Sequence, residues 1–335
     1  MHKQGGKRKL EAAVGIDVGA RELAVAMVDE GGWQERVVRN TAAGQRELLA
    51  WLRARGRRVR VCLEASGNYG LDLALALKAR AEVEVSVVNP RQVRRFAESL
   101  GERNKTDGVD ARVLAEYGRR MQPAPWQPPS RSALELRAIT RAVAALTHIS
   151  VQQQNRRHAA QAAEALPPLV RRELERHLRD LERRIRRLRQ AARKLIAGDA
   201  ELEGCYRHLL SVPGIGEVSA LQILGEVATL PGMLDARQWV AYSGLDPRRY
   251  QSGSSVARPP RISRSGNQRL RAALYMPALV AVRHEPHLRA FYQRLIAHGK
   301  APLAALTAVM RKLLHGIHAM FRRDENYCGS KLCPA

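Results

Sequence analysis

Hydrophobic positions recur along the chain with different periods in different stretches. Near the N-terminus, short apolar runs dominate. Ala12–Val18, Glu22–Val28 and Gln34–Arg39 read as three strands, with Asp29-Glu30-Gly31-Gly32 as the turn joining the last two. Leu48, Leu49 and Leu52 give Ala43–Arg55 helical spacing. Arg58–Leu63 returns to strand, Leu71–Ala79 to helix, and Val83–Val88 is a fifth strand. Pro90 suits the first turn of a helix running to about Leu100, and a further helix starts near Asp107 and ends before Pro123. Three strands followed by alternating helices and strands predict an α/β domain over 12–125.

Pro123–Pro129 breaks this regularity. From Ser132 to Lys194 there is no strand signal. Leu134–Ala165 reads as one helix, and Pro167-Pro168 separates it from a second. In the second, Leu174, Leu178, Leu181, Ile185, Leu188, Ala192 and Leu195 step alternately by four and three, a heptad seam. Two readings are open for 126–200: a hairpin within the chain, or a coiled coil pairing two subunits. The part after 200 is mostly helical, with a Gly/Ser/Pro-rich interruption from Ser243 to Gly266. The overall expectation is α/β plus all-α, flanked by a basic N-terminal tail (1–11) and an aperiodic, loose tail (324–335).

Charge changes the picture. The 335 residues carry 57 Lys and Arg against 32 Asp and Glu, a formal net charge of +25, while 45% hydrophobic residues are enough for proper cores. A folded chain this basic belongs against a polyanion. Aromatics at 4% argue against a base-stacking platform. The four cysteines fit neither a disulfide framework nor a zinc pattern, which points to the cytoplasm. No apolar run reaches the ~20 residues of a membrane span, and the basic N-terminus lacks the apolar stretch of a secretory signal.

Candidate chemistry sits at strand ends. Asp17 lies near the end of the first strand, and Glu64 follows directly on the fourth. Asp107 and Asp110, three apart, share a helical face. Converging at one sheet edge, four carboxylates would repel unless a hard divalent cation, Mg²⁺ or Mn²⁺, neutralised them. Two such ions about 4 Å apart can clamp a scissile phosphate. The Gly-Ile-Asp-Val-Gly start also suits actin-like ATPases, but no further Gly-rich phosphate loop stands out. Farther on, Val212-Pro213-Gly214-Ile215-Gly216 before an apolar helix is a helix-hairpin-helix signature (209–228), with Gly214 and Gly216 letting backbone N–H groups approach phosphate. Arg248, Arg249, Arg258, Arg261, Arg264 and Arg269 surround Ser252-Gly253-Ser254-Ser255 in a serine loop spanning 247–266. A Ser hydroxyl ringed by Arg could attack a phosphodiester; spacing does not choose among the three serines.

The motifs Gly15-Ile16-Asp17, Glu64-Ala65-Ser66-Gly67, Asn104-Lys105-Thr106-Asp107-Gly108-Val109-Asp110-Ala111-Arg112, Pro213–Gly216 and Arg248–Ser255, in this order, resemble the DEDD-type insertion-sequence transposases of bacteria, relatives of the pilin-gene invertases that include bridge-RNA-guided recombinases. The resemblance implies a RuvC-like, ribonuclease H-type domain whose acids Asp17, Glu64, Asp107 and Asp110 bind Mg²⁺. It implies a coiled-coil connector used for dimerisation and a C-terminal transposase domain (201–323) with Ser252 as nucleophile. Lys105 and the arginines around the serine loop would contact nucleic acid. Partners would be donor and target DNA, a guide noncoding RNA and further copies of the chain, as a dimer or, in the synaptic complex, a tetramer, with the acids of one subunit serving the Ser of another. Two other readings are a Holliday-junction-resolvase-like nuclease without a covalent intermediate and a non-catalytic nucleic-acid-binding protein.

Overall fold

A computed structural model of the chain describes residues 12–54, 58–64, 69–102, 106–161, 167–252 and 256–332, with the side chains of 249–252 and 256–260 outside the description. The chain divides into two compact units, residues 1–128 and 129–335.

The first unit is a five-stranded mixed sheet with helices on both faces. Its elements are β1 (Ala12–Val18), β2 (Glu22–Asp29), β3 (Gly32–Arg39), α1 (Ala42–Arg53), β4 (Val59–Glu64), α2 (Leu71–Lys78), β5 (Val83–Val88), α3 (Pro90–Ser99) and α4 (Asp107–Met121). The strand order is β3-β2-β1-β4-β5, with β2 antiparallel to β1 and β3, and β4 parallel to β1 and β5. This is the ribonuclease H-type topology. Side chains alternate across the sheet. Val14, Ile16, Val59, Val61, Leu63, Val83 and Val85 form one core with Leu48 and Leu52 of α1 and Leu73 and Leu77 of α2. On the other face, Cys62 and Val88 meet Val93 of α3 and Val113, Leu114 and Tyr117 of α4.

The Pro-rich stretch after α4 is strapped along the edge strand β5. Trp126 N–H donates to the Val85 carbonyl at 2.7 Å, and the Ser86 hydroxyl lies 3.1 Å from the Pro123 carbonyl. An edge covered this way offers no template to another strand.

The second unit is mostly helical: α5 (Arg131–Gln161), α6 (Pro168–Ala197), α7 (Ala200–Leu210), α8 (Glu217–Val227), α9 (Ala236–Ser243), α10 (Gln268–His284), α11 (Pro286–Ala297), α12 (Pro302–Arg323) and the short α13 (Gly329–Leu332). α5 and α6 pack against each other within the chain. Leu178, Leu181, Ile185 and Ala192 of the heptad seam are buried in that contact, and Leu174, Leu188 and Leu195 are half-buried. These seam positions pack against α5 within the chain.

Two expectations are corrected. The Ser243–Gly266 interruption is not an irregular loop: β6 (Pro247–Ser252) and β7 (Val256–Ile262) pair as an antiparallel ribbon, with a bulge between Arg248 and Tyr250. Both strands of a two-stranded ribbon are edges, so Pro259 and Pro260 are tolerated where a sheet interior would refuse them. The tail after Asp324 is docked rather than loose. Tyr327 N–H donates to Ser211 Oγ at 2.9 Å, Lys331 pairs with Glu325 at 2.7 Å, and the ring nitrogens of His208 face Asp324 and Asn326 at 2.8 and 3.0 Å. These are single polar anchors, which carry no periodicity. Among the described residues no helix is long and apolar enough to cross a membrane.

Candidate functional site

The strand register builds the site. Ile16 of β1 pairs in parallel with Leu63 of β4, so the next residues, Asp17 and Glu64, stand abreast at the carboxyl ends of neighbouring strands. Ile16 and Leu63 point into the α1/α2 core. By alternation Asp17 and Glu64 point to the opposite face, the one covered by α4.

Gly15 lets α4 come down on that face. A β-carbon there would stand 2.0 Å from the Ala111 carbonyl oxygen and 2.3 Å from the Ala115 nitrogen. Ala24, Ala26 and Ala111 extend this small-residue seat onto β2. Thr106 starts the helix, its Oγ1 accepting from Val109 N–H at 3.3 Å, which puts Asp107 and Asp110 in the first turn. Carboxylates are favoured there by the helix dipole.

The four predicted acids line one cleft of about 680 Å³, together with Arg94, Glu98 and Glu102. Asp107 is exposed, and Asp17, Glu64 and Asp110 are half-buried. The contribution of the α3 side escapes a reading of the sequence; its only signal is the Arg94–Glu98 pair at i, i+4, 3.3 Å apart. The donor set is all hard oxygen. Among the described residues no three of His, Cys, Asp or Glu are gathered into a preformed chelate. Mg²⁺ fits such a cleft, because it keeps several waters and takes one or two carboxylates plus substrate phosphates instead of a full protein cage.

The second unit holds the remaining predicted residues. Gly214 has φ +96°, and a β-carbon there would meet the Pro277 carbonyl of α10 at 2.7 Å, so its glycine serves packing. Gly216 is the exposed N-cap of α8, with no side-chain cap and open space where a β-carbon would stand. Its helix N-terminus is the part of the motif open to an anion. Arg248 stands opposite Arg261 across the ribbon, both exposed, a like-charge pair that an anion between them would relieve. Arg264 and Arg269 are also exposed. Ser252 ends β6, its backbone paired with Val256. Lys105, Ser254 and Ser255 lie outside the described residues, as do the side chains of Arg249, Ser252 and Arg258.

A buried cluster, which the sequence does not announce, fastens the stems of this ribbon. Glu226 of α8 accepts from Arg141 Nε and Nη2 at 2.8 Å each and from Asn267 Nδ2 at 2.6 Å. Asn267 Nδ2 also reaches Tyr242 Oη at 3.0 Å. Tyr242 lies in α9 before the ribbon, and Asn267 caps α10 after it. Burial pushes the Glu226 carboxyl up, but the hydrogen bonds from Arg141 and Asn267 outweigh it and hold it below the usual carboxylate range.

A ribonuclease H-type sheet with acids from two parallel strands and one helix turn in a single cleft defines the class of metal-using nucleic-acid-cutting domains. Comparison with known proteins is sharper. Residues 14–167 match the DEDD-type family described as "Transposase", and residues 206–293 match the "Transposase IS116/IS110/IS902 family". Pilin gene-inverting proteins of Moraxella bovis and Moraxella lacunata are each 30% identical over 318 residues, covering 94% of this chain and 97% of theirs. The chain belongs to this transposase family, enzymes of DNA recombination. A solved T. thermophilus RuvC in complex with Holliday junction substrate aligns over 34% of this chain and 98% of its own, at 17% identity and TM-score 0.27, an overlap too loose to weigh.

Proposed function

We propose that this transposase cuts and exchanges DNA strands with two devices: a divalent-metal site on Asp17, Glu64, Asp107 and Asp110, and a covalent nucleophile, Ser252. The observation that carries the reading is the shared cleft of the four acids, set abreast by the β1–β4 register. Mg²⁺ or Mn²⁺, when bound, would supply Lewis-acid stabilisation of charge on the scissile phosphate. Asp17 and Glu64 would hold the ligands' positions from the rigid sheet, and Asp107 and Asp110 would close the site from α4.

Ser252 Oγ would attack the DNA phosphorus. Its proton passes to a cleft carboxylate, one P–O bond to deoxyribose breaks, and the freed strand oxygen takes up a proton from that carboxyl or from water to leave as a hydroxyl. Because one phosphate ester replaces another, the reverse step can rejoin strands without an added energy source. Arg248, Arg249, Arg258 and Arg261 would balance phosphate charge, and Gly216 with Arg264, Arg269 and Lys105 would contact the backbone. By family resemblance, an element-encoded noncoding RNA pairs with donor and target DNA and supplies sequence choice. The acids of one subunit would serve the serine of another, in a dimer or synaptic tetramer.

The test is labelled DNA incubated with protein, Mg²⁺ and guide RNA, then run on a denaturing gel. Label should migrate with wild-type protein, and Ser252→Ala and Asp17→Ala should both abolish cleavage while DNA binding persists. Cleavage by Ser252→Ala with Asp17→Ala inactive would replace the serine by water as nucleophile. Full cleavage in excess chelator would remove the metal.

A further inference from the structure

α6 carries a second heptad register besides its apolar seam. Arg172, Arg179, Arg186 and Arg193 recur every seven residues, the last three each one position after Leu178, Ile185 and Ala192 of the seam. Arg172, Arg179 and Arg186 are exposed. Seven residues are two helical turns, about 10.5 Å of axis, so the three cations span about 21 Å along the helix.

Pairing separates this row from the one beside it. The neighbouring Arg176 and Arg183 are held by acids three residues earlier, Glu173 at 3.1 Å and Asp180 at 3.5 Å, and Asp180 also takes Arg184 at 2.7 Å. Arg193 is engaged by Glu203 and Glu217 and stacks 4.1 Å over the Tyr206 ring. Among the described residues, Arg172, Arg179 and Arg186 have no such partner. Arg179 and Arg186, with the paired Arg176 and Arg183 and one acid, Glu182, wall a shallow groove of about 280 Å³. Like charges three and four residues apart on a helix destabilise it. Glu175 and Glu182 stand four residues before Arg179 and Arg186, yet no ion pair joins them among the described residues.

We propose that the outward row Arg172, Arg179 and Arg186 is a phosphate-binding track for duplex DNA, separate from the acid cleft and the serine ribbon. The charge sign selects a polyanion. A 30-residue helix packed on α5 presents these cations on a rigid support, and membership of a DNA-transposase family makes duplex DNA the polyanion. The track reads no bases, so it would hold DNA without choosing sequence. It does not depend on which group is the nucleophile.

The experiment measures binding of the full-length protein to a short random-sequence DNA duplex at several salt concentrations. In the variant Arg172→Gln, Arg179→Gln, Arg186→Gln, the slope of log K against log salt should become shallower by about 2.7, at ~0.9 for each phosphate no longer neutralised. Circular dichroism should be unchanged, since Gln is a good helix former. If the triple variant loses helix signal, Arg179→Gln alone should lower the slope by about 0.9. A charge-matched control, Arg53→Gln with Lys78→Gln and Arg80→Gln on the first unit, should keep the wild-type slope. An unchanged slope in the track variant overturns the proposal, as does an equal fall in the control, which would make the effect one of net charge. A weakening seen with a structured RNA hairpin and not with duplex DNA overturns the choice of DNA.

Discussion

At Gly15 a hydrogen stands where any other residue would put a carbon 2.0 Å from a helix carbonyl. Gly15→Ala should therefore push α4 off the sheet and destabilise the first unit by about 1–3 kcal/mol or more, as overpacked cores do. Urea denaturation reads that loss, and cleavage should fall with it, because Asp107 and Asp110 ride on the displaced helix. Glu226 makes the opposite kind of argument. It is a buried acid kept ionised by Arg141 and Asn267, and removing one partner leaves an uncompensated charge. Arg141→Ala should cost about 3–5 kcal/mol by denaturant titration. The sign of the pH effect follows from the lowered carboxyl. The stabilisation is fully present above the unfolded value near 4.5 and is lost as pH falls through the lower folded value. In Glu226→Gln that part of the acid-limb dependence should vanish, leaving stability flatter with pH in that window.

Among the elements, α6 shows how one pattern can be read in two ways. A heptad seam states that a helix has a partner, not whose helix it is. Here α5, of matching length and joined by a short connection, fills the role. Leu181→Ala should cost about 2–5 kcal/mol as a cavity between α5 and α6, visible as lower urea stability at every protein concentration. A cost that vanished at high protein concentration would instead place this leucine between subunits. The β6–β7 ribbon is illegible in the sequence for a different reason. Gly and Pro have weak strand preference, and the stretch from Pro247 to Ile262 shows no apolar alternation. Its stems are set by Glu226, Asn267 and Tyr242, which are far apart in sequence.

Across the whole molecule, the +25 charge should govern DNA affinity. Contacts to about 6–10 phosphates would lower affinity by roughly 10³–10⁵ between 50 and 200 mM salt, measurable by fluorescence anisotropy; a constant affinity over that range would contradict a phosphate-dominated interface. What the sequence by itself determined is the local information: the five strands as short apolar runs, the helix starts at Pro90 and near Asp107, the seam of α6, and the acids at strand ends and at i, i+3. These follow from short-range periodicity, helix-start chemistry and charge, each complete within a few turns of chain. The gathering of Asp17, Glu64, Asp107 and Asp110 in one cleft was suggested by their placement but required the parallel register of β1 with β4 and the close seat of α4 on Gly15. Tertiary structure alone decided that α6 pairs within the chain, that the arginine ribbon is a β-structure held by a buried glutamate, that the Cys-containing tail docks beside α7, and that Gly214 serves α10 while Gly216 stays open. Each of these depends on partners distant in sequence, whose meeting is set by how whole elements pack and leaves no local periodic trace.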